Sequence, residues 1–106
     1  MSWDAEEVKL VDETLDLSVD FLSSLRIDEV LVSCATTVVV RSGLDPDPAS
    51  MMVGVPTRVG SVVTQKLTGG VPGVIYSVNI SAGTSMANII VKQIPLAVLS
   101  HLPFQS

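Results

Sequence analysis

Of the 106 residues, 31 are β-branched: 18 valines, 6 isoleucines and 7 threonines. Two heavy atoms on Cβ restrict χ1 and crowd a helix, whereas the same side chains pack well on a pleated surface, so strands should dominate. The residue pattern agrees. Leu15, Leu17, Val19 and Phe21 alternate with Asp16, Ser18 and Asp20, the period-two signature of a strand with one buried face. Tyr76, Val78 and Ile80 alternate in the same way with Ser77, Asn79 and Ser81.

Breaker residues divide the rest. At the start, the capping-box spacing of Asp4 and Glu7 predicts a short helix over residues 3–7. Residues 22–25 should turn the chain. Residues 29–41 read as one long strand or two short ones, and their apolarity on both faces predicts a sandwich interior or a face covered by another subunit. Ser42-Gly43-Leu44-Asp45-Pro46-Asp47-Pro48 is a loop, since both prolines restrict the preceding backbone and remove donors. Residues 51–55 and 59–67 follow as strands, divided around Pro56 or Gly60. Thr68-Gly69-Gly70-Val71-Pro72-Gly73 reads as a hairpin turn, because its glycines permit positive φ and Pro72 fixes a bend. Residues 75–82 form a strand, Gly83 permits a turn into residues 84–94, and Pro95 interrupts the last ladder, leaving 96–99 as a short edge segment. Six to eight short strands predict an all-β antiparallel sandwich or a partly closed barrel. The expected divisions are an N-terminal arm over 1–12, a β domain over 13–99 and a tail over 100–106.

Composition limits the partners. Hydrophobic residues make up 47% of the chain and charged residues 16%, which argues against disorder and favours life inside an assembly, where a weakly charged surface is covered. No apolar run approaches the roughly 18 residues of a membrane span, and no basic segment leads into an apolar core at the start. Synthesis in a cytoplasm and no membrane partner are therefore expected. All 11 acidic residues lie within 1–47 beside only Lys9, Arg26 and Arg41, whereas the remainder holds Arg58, Lys66 and Lys92 and no carboxylate. Six scattered bases form no phosphate-binding stripe, so no direct nucleic-acid contact is expected. The acidic first half offers a docking arm if it projects, or mixes its charge with the second half if the two pack together.

Catalytic equipment is sparse. His101 is the one imidazole and Cys34 the one thiol, and neither has a local partner that would make a nucleophile, a triad or a metal site. Cys34 sits among Val32, Ala35 and Val38, where a buried, inert thiol is expected. The aspartates lack the spacing of a calcium loop, and no glycine-rich segment carries the Lys and Ser/Thr of a phosphate loop. No enzyme activity, cofactor or metal is expected. The candidate partner-binding residues are Trp3, a large apolar side chain with one donor; the acidic Glu6, Glu7 and Asp12; and the adaptable pair Met51 and Met52. Phe21 is expected in the core, and Tyr76 in the core or packed at a sheet edge.

The order Trp3...Glu7, then Asp16-Leu17-Ser18-Val19-Asp20-Phe21...Leu25, then Asp28-Glu29-Val30-Leu31-Val32-Ser33 resembles small tailed-bacteriophage virion structural proteins with an immunoglobulin-like sandwich, including fiber-tail adaptors. Thr68-Gly69-Gly70-Val71-Pro72-Gly73-Val74-Ile75-Tyr76-Ser77-Val78 is similar to that family's glycine turn and tyrosine strand, and Thr84-Ser85 with Ile89-Ile90-Val91 to its final hairpin. The resemblance runs over residues 3–94. Cys34-Ala35 stand where family members often have an aromatic, Phe21 replaces a common tryptophan, and residues 84–88 lack the frequent charged stretch. The resemblance implies an antiparallel immunoglobulin-like β-sandwich acting as a non-catalytic adaptor at the neck or tail of a virion. Its partners would be other virion structural proteins, neck, tail or fiber components, in a symmetric assembly. Capsid decoration and carbohydrate-binding host recognition are the alternative roles.

Overall fold

The computed structural model describes residues 7–100, folded into two packed β-sheets. Seven strands run in chain order: β1 (Glu7–Leu10), β2 (Leu15–Asp20), β3 (Leu31–Ser42), β4 (Met52–Val59), β5 (Val62–Leu67), β6 (Ile75–Thr84) and β7 (Ile89–Leu99). One sheet has the order β1-β7-β6-β3 and the other β2-β5-β4. Among the described residues no helix is long and apolar enough to cross a membrane.

The alternating segments bury the faces their patterns predict. Leu17 and Phe21 point inward from β2 and its end, opposite Tyr76, Val78 and Ile80 of β6, and all five are buried. Full burial of an apolar side chain of this size contributes ~1.5–3 kcal/mol, so these few positions carry much of the fold's stability. Leu96 and Val98 of β7 and Val63 and Leu67 of β5 complete the centre of the core.

Several connections differ from expectation. Glu7 belongs to a strand instead of a helix: β1 pairs in parallel with β7, Glu7 opposite Leu96 and Leu10 opposite Leu99. This is the one parallel pairing among the described strands; the other four are antiparallel. The break between β4 and β5 falls at Gly60, where φ is +59°, while Pro56 stays inside β4. Proline is tolerated there because β4 is an edge strand whose register slips between Val53 and Thr57. Gly83 stays in β6, and the turn comes later, with Ala87 at φ +61°. Pro95 does not interrupt β7. It lies opposite Ser77 of β6 within the continuous strand, and Leu96–Leu99 then lies between β6 and β1 instead of at an edge.

The glycine-rich segment 68–73 is also not a hairpin turn; it carries the chain from the three-stranded sheet to the four-stranded one. At Gly70 φ is +94°, and a Cβ would lie 2.9 Å from Val98 Cγ2 and 3.1 Å from Met51 Cε, so both backbone angle and space require glycine. Tyr76 secures this crossing. Its hydroxyl accepts the Val71 N–H at 2.8 Å and donates to Asp45 Oδ2 at 2.7 Å, tying the crossing to the loop that follows β3.

Candidate partner interface

The segments 21–30, 60–61 and 85–88 meet at one end of the sandwich. Asp20 begins their arrangement: its Oδ1 accepts the Leu22 N–H at 2.9 Å and the Ser61 hydroxyl at 2.7 Å, joining the 21–30 loop to the β4–β5 turn. Between them, Leu22–Ser24 forms a single 3-10 turn that points Leu22 outward, 64% exposed, while Phe21 drops into the core.

Glu29 organises the remainder. Asp28 takes φ +67°, bending the chain so that Glu29 faces inward. The Glu29 carboxylate accepts hydrogen bonds from the Thr84 hydroxyl, from the Arg26 N–H at 2.9 Å and from Asn88 Nδ2 at 3.0 Å. These donors hold its pKa below the ordinary carboxylate range, the Thr84 hydroxyl most strongly. Ser85 reinforces the junction, donating its N–H to Val30 O at 2.8 Å while its Oγ accepts the Val30 N–H at 3.1 Å. Arg58 closes the third side by donating to Leu31 O at 3.1 Å.

The result is a hollow of about 460 Å³ lined by Leu22, Leu25, Val30 and Leu31, with Glu29, Arg58 and Ser61 at its polar edge. Around it stand exposed Ile27, at 89%, with Val30, Val59 and Met86. Apolar side chains held on a hydrogen-bonded backbone suit protein docking. They do not suit acid–base chemistry, since the Glu29 carboxylate is already engaged by three donors. Among the described residues no group of three potential metal ligands converges.

The sequence-derived candidates among the described residues do not line this end. Trp3 and Glu6 fall outside the described residues, as does His101; Glu7 opens β1. Asp12 is exposed in the β1–β2 turn at the opposite end of the sandwich. Met51 is 1% exposed, packed beneath Gly70, so it fills the core and presents no contact surface. Met52 is half-buried in a cleft between β3 and β4 that also includes Cys34. Cys34 is half-buried rather than fully enclosed. The described candidates, Glu7, Asp12, Met51 and Met52, therefore do not form one surface. The structure assembles instead Leu22, Ile27, Val30 and Met86, which a search for charged or aromatic anchors passes over. The available signal was Ile27, an apolar residue between Arg26 and Asp28 inside a polar turn.

At the opposite end the unexpected feature is Lys9. Its side chain is fully enclosed, and Nζ donates to Leu10 O and Gly69 O, each at 2.7 Å. Burial pushes its pKa down, with Glu13 and Asp12 pulling the other way. A charge held by carbonyls in this way pins β1 to the sheet crossing.

The model of the family described as podophage GP4 fiber-tail adaptor protein gp77 matches residues 9–97. No curated protein and no solved structure matches. The family match overlaps all seven strands and both ends of the sandwich. The chain thus belongs to the podophage fiber-tail adaptor family, as a non-catalytic structural protein of the phage virion.

Proposed function

We propose that this adaptor holds a neighbouring neck, tail or fiber protein against the apolar end of its sandwich, in several copies around the particle axis. The observation that carries this reading is the coincidence of exposed Leu22, Ile27, Val30 and Met86 with the Glu29 network that orders the loops bearing them. Docking onto preordered loops forfeits little conformational entropy, so a modest apolar area yields useful affinity. The protein is made in the host cytoplasm and incorporated during assembly. Residues ahead of β1, with Trp3 and Glu6, provide a second contact, and Glu7 and Asp12 add negative charge that selects register more than it adds affinity.

The scaffold is immunoglobulin-like. Three features support this: the sheet order β2-β5-β4 follows the B-E-D order of that fold, β3, β6 and β7 follow its C-F-G order, and Tyr76 near the start of β6 bonds back to the Val71 backbone as a tyrosine corner does. Val78, two residues after Tyr76, takes the place of the second disulfide cysteine and is fully buried. In that fold, loops at one end of the sandwich are the recognition surface of variable domains, which matches the end bearing residues 21–30 and 85–88.

Ile27→Asp tests the reading. Because Ile27 is 89% exposed, the variant should melt as the parent does. It should nevertheless be missing from purified particles when supplied as the sole copy. Normal incorporation would reject this end as the docking surface.

A further inference from the structure

The sandwich is open along the side where β3 and β4, the free edges of the two sheets, face each other. There the slip in register between Val53 and Thr57, with Gly54 at φ +69°, leaves a cleft of about 450 Å³. Its walls are uncharged: Cys34, Met52, Val55 and Pro56. Two polar atoms in its lining, Thr36 Oγ1 and Gln65 Oε1, are buried without a hydrogen-bond partner among the described residues. The Gln65 side chain is fully enclosed, and its Nε2 is committed to the carbonyls of Lys66 at 3.0 Å and Gly54 at 3.3 Å. A flipped amide would turn its oxygen against those carbonyls, so Oε1 stays an acceptor that no described residue satisfies.

A neutral apolar slot with a buried acceptor suits a flat side chain that carries one N–H and no acceptor, which describes indole. The chain has one tryptophan, Trp3, followed by Asp4, Glu6 and Glu7. The strands around the cleft contain no acidic residue, and β3 and β4 carry Arg41 and Arg58, while Lys66 of β5 is already paired with Asp16. A chain's own Trp3 does not reach. Glu7 lies level with Leu96, Tyr76 and Val40, whereas Thr36 is four residues further along β3. With three strand spacings across and four residues along, the diagonal is about 19 Å. The four residues from Glu7 back to Trp3 span at most about 14 Å; with the indole extended the reach about equals that diagonal, and no length is left for the path round the β3 edge.

We propose that Trp3 of a second copy enters this cleft, its indole N–H donating to Gln65 Oε1, with the acidic residues beside it meeting strand edges that carry no carboxylate. This deepens the reading of the chain as a multi-copy assembly protein, on which it rests. Each copy then has one arm to give and one cleft to fill, a head-to-tail contact that propagates around a ring or along a row.

The test uses the full chain in sedimentation velocity, with the emission of the sole tryptophan followed in parallel. The wild type should associate as concentration rises, with a blue shift as the indole leaves water. Trp3→Ala and Val55→Glu should each weaken association by about tenfold or more at unchanged melting temperature, Val55 being 82% exposed at the cleft mouth. Mixed in equal amounts, these two variants should form heterodimers that grow no further, one supplying the arm and the other the cleft. A wild type that stays monomeric would overturn the proposal, as would Trp3→Ala that associates normally, an emission maximum that does not move, or a mixture without heterodimers. Ile27→Asp should self-associate like the wild type whatever its effect on incorporation, so failure at the apolar end and failure at the cleft are read separately.

Discussion

Glu29 and Tyr76 show how single polar groups hold the loops of a small β protein. The pKa of Glu29 is depressed in the folded state, so its bonds contribute stability above the ordinary glutamate value of 4.5, and that contribution is lost as pH falls through the lower folded value. Glu29→Gln should therefore flatten the acid limb of a melting-temperature profile below about pH 4.5, and an unchanged acid limb would contradict the network. Tyr76 behaves in the opposite sense. Burial and the Asp45 carboxylate raise its phenol pKa above 10.0, so its contribution is intact below that pH and lost as alkaline pH passes the folded value. Tyr76→Phe leaves the Val71 N–H and the Asp45 carboxylate without their shared partner and should cost ~1–3 kcal/mol in chemical denaturation. The burial of Tyr76 and Phe21 was legible from alternation alone. That of Lys9 was not, because a lysine near Asp12 and Glu13 reads as solvated until the carbonyls of Leu10 and Gly69 are folded around it.

At the scale of elements, β2 and β6 follow their period-two patterns closely, since a one-residue shift would turn every buried side chain to solvent. Connections were harder to read. Pro56, Gly83 and Pro95 all resemble strand breakers in sequence, yet each lies inside a strand, and for Pro56 what permits it is an edge and a register slip that depend on distant residues. The 68–73 segment was correctly placed as a sharp connection, but whether it joins strands of one sheet or crosses to another depends on pairing partners that periodicity does not encode. Gly70→Ala tests the crossing. A Cβ at φ +94° would press on Val98 and Met51, and the variant should lose ~1–3 kcal/mol by denaturant titration. Gly69→Ala shares the positive φ but meets nothing within 4 Å, so it should lose less. Equal losses at the two positions would mean that backbone angle alone matters.

At the scale of the molecule, the crowding of acidic residues into positions 1–47 does not produce two separately charged halves among the described residues. The sheets interleave both parts of the chain, and Lys66 of β5 meets Asp16 of β2 at 2.9 Å on the outer face. That exposed pair adds little stability. The larger asymmetry is between the ends, one closed by the Tyr76 and Lys9 networks and the other presenting an apolar rim. The all-β two-sheet architecture and the adaptor role were legible from composition, alternation and family resemblance, whereas the rim was not, because Leu22, Ile27 and Met86 become one surface only when three separate turns meet. Electron microscopy of intact particles, at a resolution that traces this chain, tests the central claim most directly. Residues 21–30 and 85–88 should be buried against another neck, tail or fiber protein, and a copy in the particle with that end facing solvent would contradict it.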